Sequence, residues 1–206
     1  MTTIHHTEFA AIDFEGAGMR PGGNDHPVQI GIAVLSRWEI RRELSLNSLI
    51  ACPVPVTWSA RKVHGISDEN LAGTPALSSL WPQIRDLLRG RWVVAHGSAT
   101  EKRFLRAFPL HGFGPWVDTL RLARSADPGL ASHALGDLAA TYGLEDKLRT
   151  EWEGFRWHDA HSDAVASLEI LKFLVDRLDL GRESPEILLH SEQATYRRLR
   201  PPSRPK

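Results

Sequence analysis

An apolar stretch that runs directly into two acidic residues constrains this chain more than any other part of its sequence. Residues 9–12 are apolar, Asp13, Phe14 and Glu15 follow them, and residues 16–18 are Gly-Ala-Gly. A short apolar run predicts a buried strand, and alternate residues of a strand point to the same face. Asp13 and Glu15 therefore share a face, where two carboxylates repel each other unless a cation lies between them. Mg²⁺ and Mn²⁺ prefer carboxylate oxygens, so the stretch indicates either a metal site or a solvated strand end.

Composition and charge exclude several classes of protein. The 206 residues, 42% of them hydrophobic, suit one domain with a sizeable core. The formal net charge is zero and the pI is about 7.2, which excludes a global basic field that would grip long duplexes. The single Cys52 excludes an internal disulfide and a cysteine-rich zinc site. No apolar run has the length of a membrane span and no secretory signal begins the chain, so we expect a cytoplasmic protein without membrane contact.

The order of the predicted elements indicates an α/β domain. The first strand is followed by a turn-rich segment and by two further strand patterns, at 28–35 and 38–50, which together predict an antiparallel meander. Residues 92–95 are fully apolar, as in a central strand. Helical patterns follow Pro75 and cover residues 99–107, 132–142 and 163–178. This order predicts a mixed central β-sheet flanked by helices.

Three later residues add to the acidic pair. Glu101 is predicted in the first turn of the helix that follows residues 92–95, and Asp163 in the first turn of the last long helix. His158 precedes Asp163 by five residues, which on one straight helix would be a rotation of about 500°. The two side chains would then face different ways. We therefore expect His158 to lie in the loop before the helix and to face back over the site.

Four segments, in this order and spacing, resemble the DnaQ-like, or DEDDh, 3′→5′ exonuclease family, which has a ribonuclease H-like fold. They are Asp13-Phe14-Glu15, His64-Gly65-Ile66-Ser67, residues 96–105 and residues 158–164, and together they span about residues 8–177. The family pattern His-x-Ala-x-x-Asp is matched by His158, Ala160 and Asp163. The sister branch has Tyr where this chain has Asp159, so the histidine branch is favoured.

Two departures from the family pattern affect the expected site. The family usually has Asp where this chain has Glu101, whose carboxylate reaches about one methylene further, so the site could be looser or suited to a different metal. The family's Thr-Thr-Gly is replaced here by Gly16-Ala17-Gly18. Hydroxyl contacts to the end of the substrate would then be lost, which leaves contacts from backbone N–H groups.

The resemblance implies hydrolysis of phosphodiester bonds by two Mg²⁺ or Mn²⁺ ions at the 3′ end of nucleic acid, expected to be single-stranded DNA or RNA. The ions would be held by Asp13, Glu15 and Asp163, and by Glu101 directly or through water. His158 would be the general base, a role that suits an imidazole. The implied substrate contacts are at Phe14, Gly16, Ala17, Gly18, His64, Ile66 and His96. Relatives occur as monomers and dimers, so a homodimer is one possible assembly.

Other interpretations remain open. The chain could be a catalytically weak nucleic-acid-binding module, which only Glu101 favours, or a phosphohydrolase of small nucleotides, which the neutral charge allows. Structural or rim roles are the alternative for His64, His96 and His161. Residues 145–147 are typical of a solvated charge run. We expect an exonuclease domain at 1–180 and a partly disordered C-terminal extension at 181–206.

Overall fold

Five strands form one mixed sheet in the computed structural model, which describes residues 2–19 and 22–190. The strands are β1 Phe9–Gly16, β2 Pro27–Ser36, β3 Glu39–Leu49, β4 Trp92–Ala95 and β5 Trp116–Asp118. Their order in the sheet is β3-β2-β1-β4-β5. The first three strands pair antiparallel, whereas β1 pairs parallel with β4, and β4 pairs parallel with β5. The predicted mixed sheet is confirmed.

Eight α-helices lie in the described residues and cover both faces of the sheet. They are α1 Trp58–His64, α2 Asp68–Leu71, α3 Trp81–Leu88, α4 Ala99–Phe104, α5 Thr119–Ala126, α6 Leu135–Thr141, α7 Glu145–Glu151 and α8 Ala160–Arg177. Short 3-10 helices occupy Ile4–His6, Leu77–Leu80, Leu105–Ala107 and Pro185–Leu189. None of the described helices is long and apolar enough to cross a membrane.

The alternation of side chains along β1 divides the core into two layers. Phe9 and Ala11 pack with α8 on one face of the sheet. Ile12 and Phe14 pack on the other face, in a cluster with residues of α3 and α4. Because every second residue of a strand points the same way, Asp13 and Glu15 emerge on the α8 face, as the sequence predicts.

A glycine in β2 lets α8 approach the sheet very closely. A Cβ atom added to Gly31 would lie 2.1 Å from the carbonyl carbon of Ala160 and 2.1 Å from the backbone nitrogen of His161. Both atoms belong to the backbone of the first turn of α8, so they cannot rotate away as a flexible side chain would. Gly31 pairs with Asp13 of β1, so this contact brings the N-terminus of α8 over the acidic strand end.

Two elements differ from the sequence expectation. The helix predicted to open after Pro75 begins as an α-helix only at Trp81, because Pro82 lies in its first turn, where a missing N–H costs nothing. The charge run 145–147 opens α7 and Asp146 is exposed, as expected, but Lys147 makes a contact that a solvated run does not imply. The Lys147 ammonium donates to Glu169 Oε2 at 2.7 Å, and Glu169 is buried. A buried carboxylate requires such a counter-charge, which the local sequence does not reveal.

The beginning of the predicted C-terminal extension packs on the domain. The backbone N–H groups of Ile4 and His5 donate to the carbonyl oxygens of Glu183 and Gly181, and Leu188 is buried. The remainder of the extension, 191–206, lies outside the described residues. The domain boundary at residue 180 and the partial disorder beyond it stay predictions.

Substitution of Gly31 by Ala should destabilise the protein. The added methyl group has no space against the α8 backbone, and overpacking of this kind costs roughly 1–3 kcal/mol in the free energy of unfolding. Urea denaturation measures that loss. Gly136→Ala is the matched control, because Gly136 lies in the first turn of α6 and its added Cβ would be an ordinary 3.5 Å from Trp157. The control should gain about 0.4–1 kcal/mol, and equal stability of the two variants would contradict the close approach.

Candidate active site

The N-terminus of α8 is fixed to β2 by a hydrogen-bonded group that the sequence analysis did not identify. The Gln29 side chain is buried and donates from Nε2 to Asp159 Oδ2 at 2.7 Å, while its Oε1 accepts from the Ala160 N–H at 3.2 Å. Asp159 is the N-cap of α8, and its Oδ1 accepts from the Ser162 N–H at 3.1 Å. The amide of one β2 residue therefore sets both the position and the rotation of the first turn of α8.

That first turn places the predicted base and the predicted ligand together. His158 lies in the loop before α8 with a positive φ of 58° and an exposed side chain, as predicted. Its backbone N–H hydrogen-bonds to the Asp163 carboxylate. One ligand atom from each of Glu15, His158 and Asp163 lies within 4.8 Å of the others. The end of β1 and the beginning of α8 thus meet at one point.

Glu101 approaches this point from α4. The turn before that helix is held by Asp118, whose carboxylate oxygens accept from the N–H groups of Gly97 at 3.2 Å and Ser98 at 3.0 Å. Glu101 is 4% exposed. It lies close enough to Asp13 for its charge to raise the pKa of that carboxyl. The residue that departs from the family pattern is therefore directed into the site.

Burial raises the pKa values of all four carboxyl groups, and the charges of other carboxylates add to that effect. For Asp13, burial is the main cause, followed by the charges of Glu101 and Asp163. Burial and the charge of Asp163 raise the pKa of Glu15 to about 8. Burial is likewise the main cause for Glu101 and for Asp163, whose pKa values rise to about 7. Near neutral pH, Glu15, Glu101 and Asp163 are therefore poised between their charged and neutral forms.

Asp159 provides an internal contrast in the same place. Burial alone would raise the pKa of its carboxyl, but hydrogen bonds from Gln29 and Ser162 outweigh burial and lower that pKa. Asp159 has its partners within the protein. Among the described residues, by contrast, the buried oxygens Glu101 Oε2 and Asp163 Oδ1 have no hydrogen-bond partner.

These properties fit a site for divalent cations. Carboxylate oxygens are hard ligands, and several carboxylates that repel each other are stabilised when a cation binds between them. The unpartnered oxygens of Glu101 and Asp163 are free to coordinate. The described part of the chain has one group of three potential ligands whose ligand atoms all lie within 4.8 Å of one another, formed by Glu15, Asp163 and His158. Asp13 and Glu101 interact with that group electrostatically, and their role as ligands stays a prediction.

The loop that follows Glu15 is held in place by side chains from two other elements. The carboxylate of Asp25 accepts from the Gly18 N–H at 2.9 Å and pairs with Arg103 of α4 at 3.1 Å. On the opposite side, His64 Nδ1 accepts from the Ile66 N–H, so His64 Nε2 is the donor to the carbonyl oxygen of Gly16 at 3.1 Å. The predicted substrate loop is therefore rigidly connected to α1 and α4.

The remaining predicted substrate residues are less accessible. Phe14 packs in the core with its ring edge-on to Phe104, 5.4 Å between centroids, so a contact to substrate falls to its backbone. Ile66 and Ala17 are buried in one small cluster. His96 donates from Nε2 to the His133 carbonyl at 2.9 Å, and its Nδ1 is 2.9 Å from the Thr119 hydroxyl. Both ring nitrogens are occupied, as in the structural alternative, and the substrate contacts stay predictions.

Four positioning residues were missed by the sequence analysis: Gln29, Asp25, Asp118 and Asp159 in its capping role. Some of them had a signal. Gln29 is a polar residue inside an otherwise apolar strand, and Asp159 precedes Ser162 at the spacing of a helix cap. Asp25, in a Gly- and Asn-rich turn, had none.

The metal-free protein should lose stability as the pH rises. Carboxyl groups with raised pKa values keep protons in the folded state that the unfolded chain releases, so the free energy of unfolding falls between about pH 4 and about pH 8. Thermal unfolding in EDTA across this range measures the slope. Mn²⁺ should restore stability at the alkaline end, and Glu15→Gln should flatten the slope in EDTA. A melting temperature that rises with pH in EDTA would contradict these shifts.

Comparison with known proteins gives this site a context. The family model RNase_T, described as Exonuclease, matches residues 10–171. The chain is 26% identical over 182 residues to DNA polymerase III PolC-type of Thermotoga maritima, a match that covers 86% of this chain and 12% of that protein. It is also 26% identical over 182 residues to a DNA polymerase III subunit epsilon-like protein of Rhodobacter capsulatus, covering 86% of this chain and 25% of that protein. The chain thus spans a quarter or less of the length of these relatives.

Solved structures share the fold. The structure of Exonuclease X in complex with 5′ overhanging duplex DNA has a TM-score of 0.70 at 22% identity, over 88% of this chain and 99% of that one. The nuclease domain of 3′hExo, a DEDDh family member bound to rAMP, has a TM-score of 0.69 at 13% identity, over 84% of this chain and 94% of that one. Because the family model covers most of its length, this chain belongs to the exonuclease family, in agreement with its resemblance to the DnaQ-like DEDDh exonucleases.

Proposed function

We propose that this chain is a metal-dependent 3′→5′ exonuclease that hydrolyses phosphodiester bonds from the 3′ end of single-stranded DNA or RNA with two divalent cations. The observation that carries the proposal is the meeting of Glu15, Asp163 and His158 within 4.8 Å at the junction of β1 and α8. Family membership supplies the reaction class.

The side chains of the site suit this reaction. Asp13, Glu15, Glu101 and Asp163 would hold Mg²⁺ or Mn²⁺, which when bound supplies charge stabilisation to the reacting phosphate and activates water. His158 is exposed at the mouth of the site, where its imidazole can accept a proton from the attacking water. Its backbone contact to Asp163 keeps the base beside the carboxylates while the ring stays free to reach the substrate.

The substrate class follows from the charge of the chain and from its relatives. A chain with zero formal net charge lacks the broad basic field that holds long duplexes, so local contact with a short single-stranded end is the better fit. Exonuclease X was solved with DNA, which supports a nucleic-acid substrate here. The DNA polymerase III relatives suggest polymerase subunits as partners. A homodimer and a cytoplasmic location stay predictions.

Short labelled strands test the direction of cleavage. With Mn²⁺, a strand labelled at its 5′ end should shorten stepwise, and one labelled at its 3′ end should release the labelled mononucleotide first. Matched DNA and RNA strands determine the sugar preference. Glu15→Gln is the inactive control. Degradation from the 5′ end would contradict the proposed polarity, and cleavage of dinucleotides alone would favour the small-nucleotide phosphohydrolase.

Variants of His158 and Glu101 should separate proton transfer from cation binding. His158→Ala should lower the rate by about 10²–10⁴-fold, the usual contribution of a general base, and leave Mn²⁺ binding largely intact.

Glu101→Gln should cost far more activity than Glu101→Asp, because only the amide removes the charge that the cation requires. Rates measured against Mg²⁺ concentration test both substitutions. Wild-type activity of Glu101→Gln at every concentration would remove Glu101 from the site and revive the binding-module alternative.

A further inference from the structure

One tryptophan lies outside the core, on the helix next to the site. All seven tryptophans fall within the described ranges, and Trp58 is the single exposed one, at 76% exposure. Burial of an indole normally stabilises the fold, because it removes 150–250 Å² of largely apolar surface from water. The position of Trp58 contributes little to the core, so its indole is available for contact with another molecule.

Further exposed apolar side chains are found nearby in the chain. The described part of the protein has five large exposed apolar residues, of which Trp58 and Val63 lie on α1. Met19 directly follows Gly18, whose added Cβ would contact Thr57 and Ala60 of the same region. Three of the five are therefore on α1 or directly beside its N-terminal end. Trp58 and Val63 are five residues apart, a rotation of about 500°, so their side chains leave α1 on different faces and do not form one apolar patch.

A cation accompanies the indole. Lys62 lies one helical turn after Trp58, and its Nζ is 5.3 Å from the centroid of the Trp58 ring. No ion pair among the described residues involves Lys62, which is exposed. Trp58 thus offers an aromatic surface, and Lys62 offers an unpaired positive charge next to it.

Helix α1 is attached at both ends to the loop that follows Glu15. At its N-cap, the Thr57 N–H donates to the Ala17 carbonyl at 2.8 Å. At its last residue, His64 Nε2 donates to the Gly16 carbonyl at 3.1 Å. Trp58 and His64 are separated by ~9 Å along the helix axis. A strand whose 3′ end lies at the carboxylates can therefore reach α1 within its next few nucleotides.

We propose that Trp58 and Lys62 form a platform for single-stranded nucleic acid, in which the indole stacks on a base upstream of the 3′ end and the ammonium contacts a backbone phosphate. This inference rests on the proposed exonuclease function. Aromatic side chains combined with nearby cations are the usual means of binding single strands without sequence preference. The platform also supplies locally the positive charge that the chain lacks globally.

Nucleic acid fits this surface better than a protein partner does. A protein docking site is expected to bury a contiguous apolar area, whereas here an ammonium group lies beside the indole. The two groups together match the alternation of flat bases and charged phosphates along a strand. The Thr57 N–H at the start of α1 also donates to the carbonyl of Ala17, in the loop that follows Glu15. A strand bound on this surface is therefore directed towards the reaction centre.

Kinetics on a long and a short substrate test the platform. The variants are Trp58→Leu, Trp58→Phe, Lys62→Gln and Lys62→Arg, with Leu110→Ala as the control at a fully exposed apolar residue elsewhere. Trp58→Leu should raise KM for an oligothymidylate strand by about 5- to 100-fold, the range expected for loss of one stacked base. Its kcat, and its hydrolysis of a thymidine dinucleotide, should not change. Trp58→Phe should retain most of the affinity, because it keeps an aromatic face.

Binding in EDTA provides a readout that does not depend on catalysis. Fluorescence anisotropy of a labelled oligothymidylate should show weaker binding by Trp58→Leu. Lys62→Gln should reduce the slope of log affinity against log salt concentration by about 0.7, the value for one phosphate contact on a single strand, and Lys62→Arg should retain it. Thermal unfolding verifies that the variants fold, as expected for exposed positions.

The outcomes separate the platform from the exonuclease proposal. If wild type binds the strand but does not cleave it with Mn²⁺, the exonuclease function fails while the anisotropy series still decides the platform. If wild type cleaves and Trp58→Leu has unchanged KM and affinity, the platform is wrong and the function stands. If Trp58→Leu has a different oligomeric mass in solution from wild type but binds the strand equally well, α1 is a protein-docking helix and the proposal is overturned. Failure of wild type to bind the strand would overturn it as well.

Discussion

The contact between the first turn of α8 and the backbone of β2 is the constraint on which the rest of the site depends. Gly31 provides the space, since any Cβ would collide with the Ala160 and His161 backbone. Gln29 provides the direction, since its amide binds Asp159 and Ala160 at once. The contact is steric at Gly31 and polar at Gln29, two alternate positions of β2. The helix can therefore neither move along the sheet nor rotate on it without losing one of these two interactions.

The site places ionisable carboxyl groups in a buried region, where a charged group without a partner is unfavourable. Four carboxyl groups converge at strand and helix ends, and burial together with repulsion raises their pKa values. The interactions that fix the surrounding backbone are satisfied within the protein, as Asp159 and Asp118 show. Among the described residues, the buried side-chain oxygens without a hydrogen-bond partner are Glu101 Oε2 and Asp163 Oδ1. The positioning carboxylates thus have hydrogen-bond partners within the protein, whereas Glu101 and Asp163 each keep a buried oxygen that a cation or a proton can stabilise.

The surroundings of the carboxylates form a connected frame. Asp25 joins the loop after β1 to Arg103, which lies two residues after Glu101 on α4. His64 joins the same loop to α1. A displacement of the loop would therefore be transmitted to the Glu101 helix on one side and to the exposed Trp58 helix on the other. This coupling gives a physical reason why the proposed platform on α1 and the carboxylates would respond together to a bound ligand.

The sequence by itself determined the order of the elements, the shared face of Asp13 and Glu15 and the loop position of His158, because strand alternation and helix rotation are local properties of the backbone. It also carried the family pattern that the comparison confirms. Only the tertiary structure decided which residues hold these groups in place. Gln29 meets Asp159 across 130 positions of the chain, and Lys147 meets Glu169 across 22. Such pairs leave no periodic signal, since each partner is an ordinary polar residue until tertiary packing brings the two together.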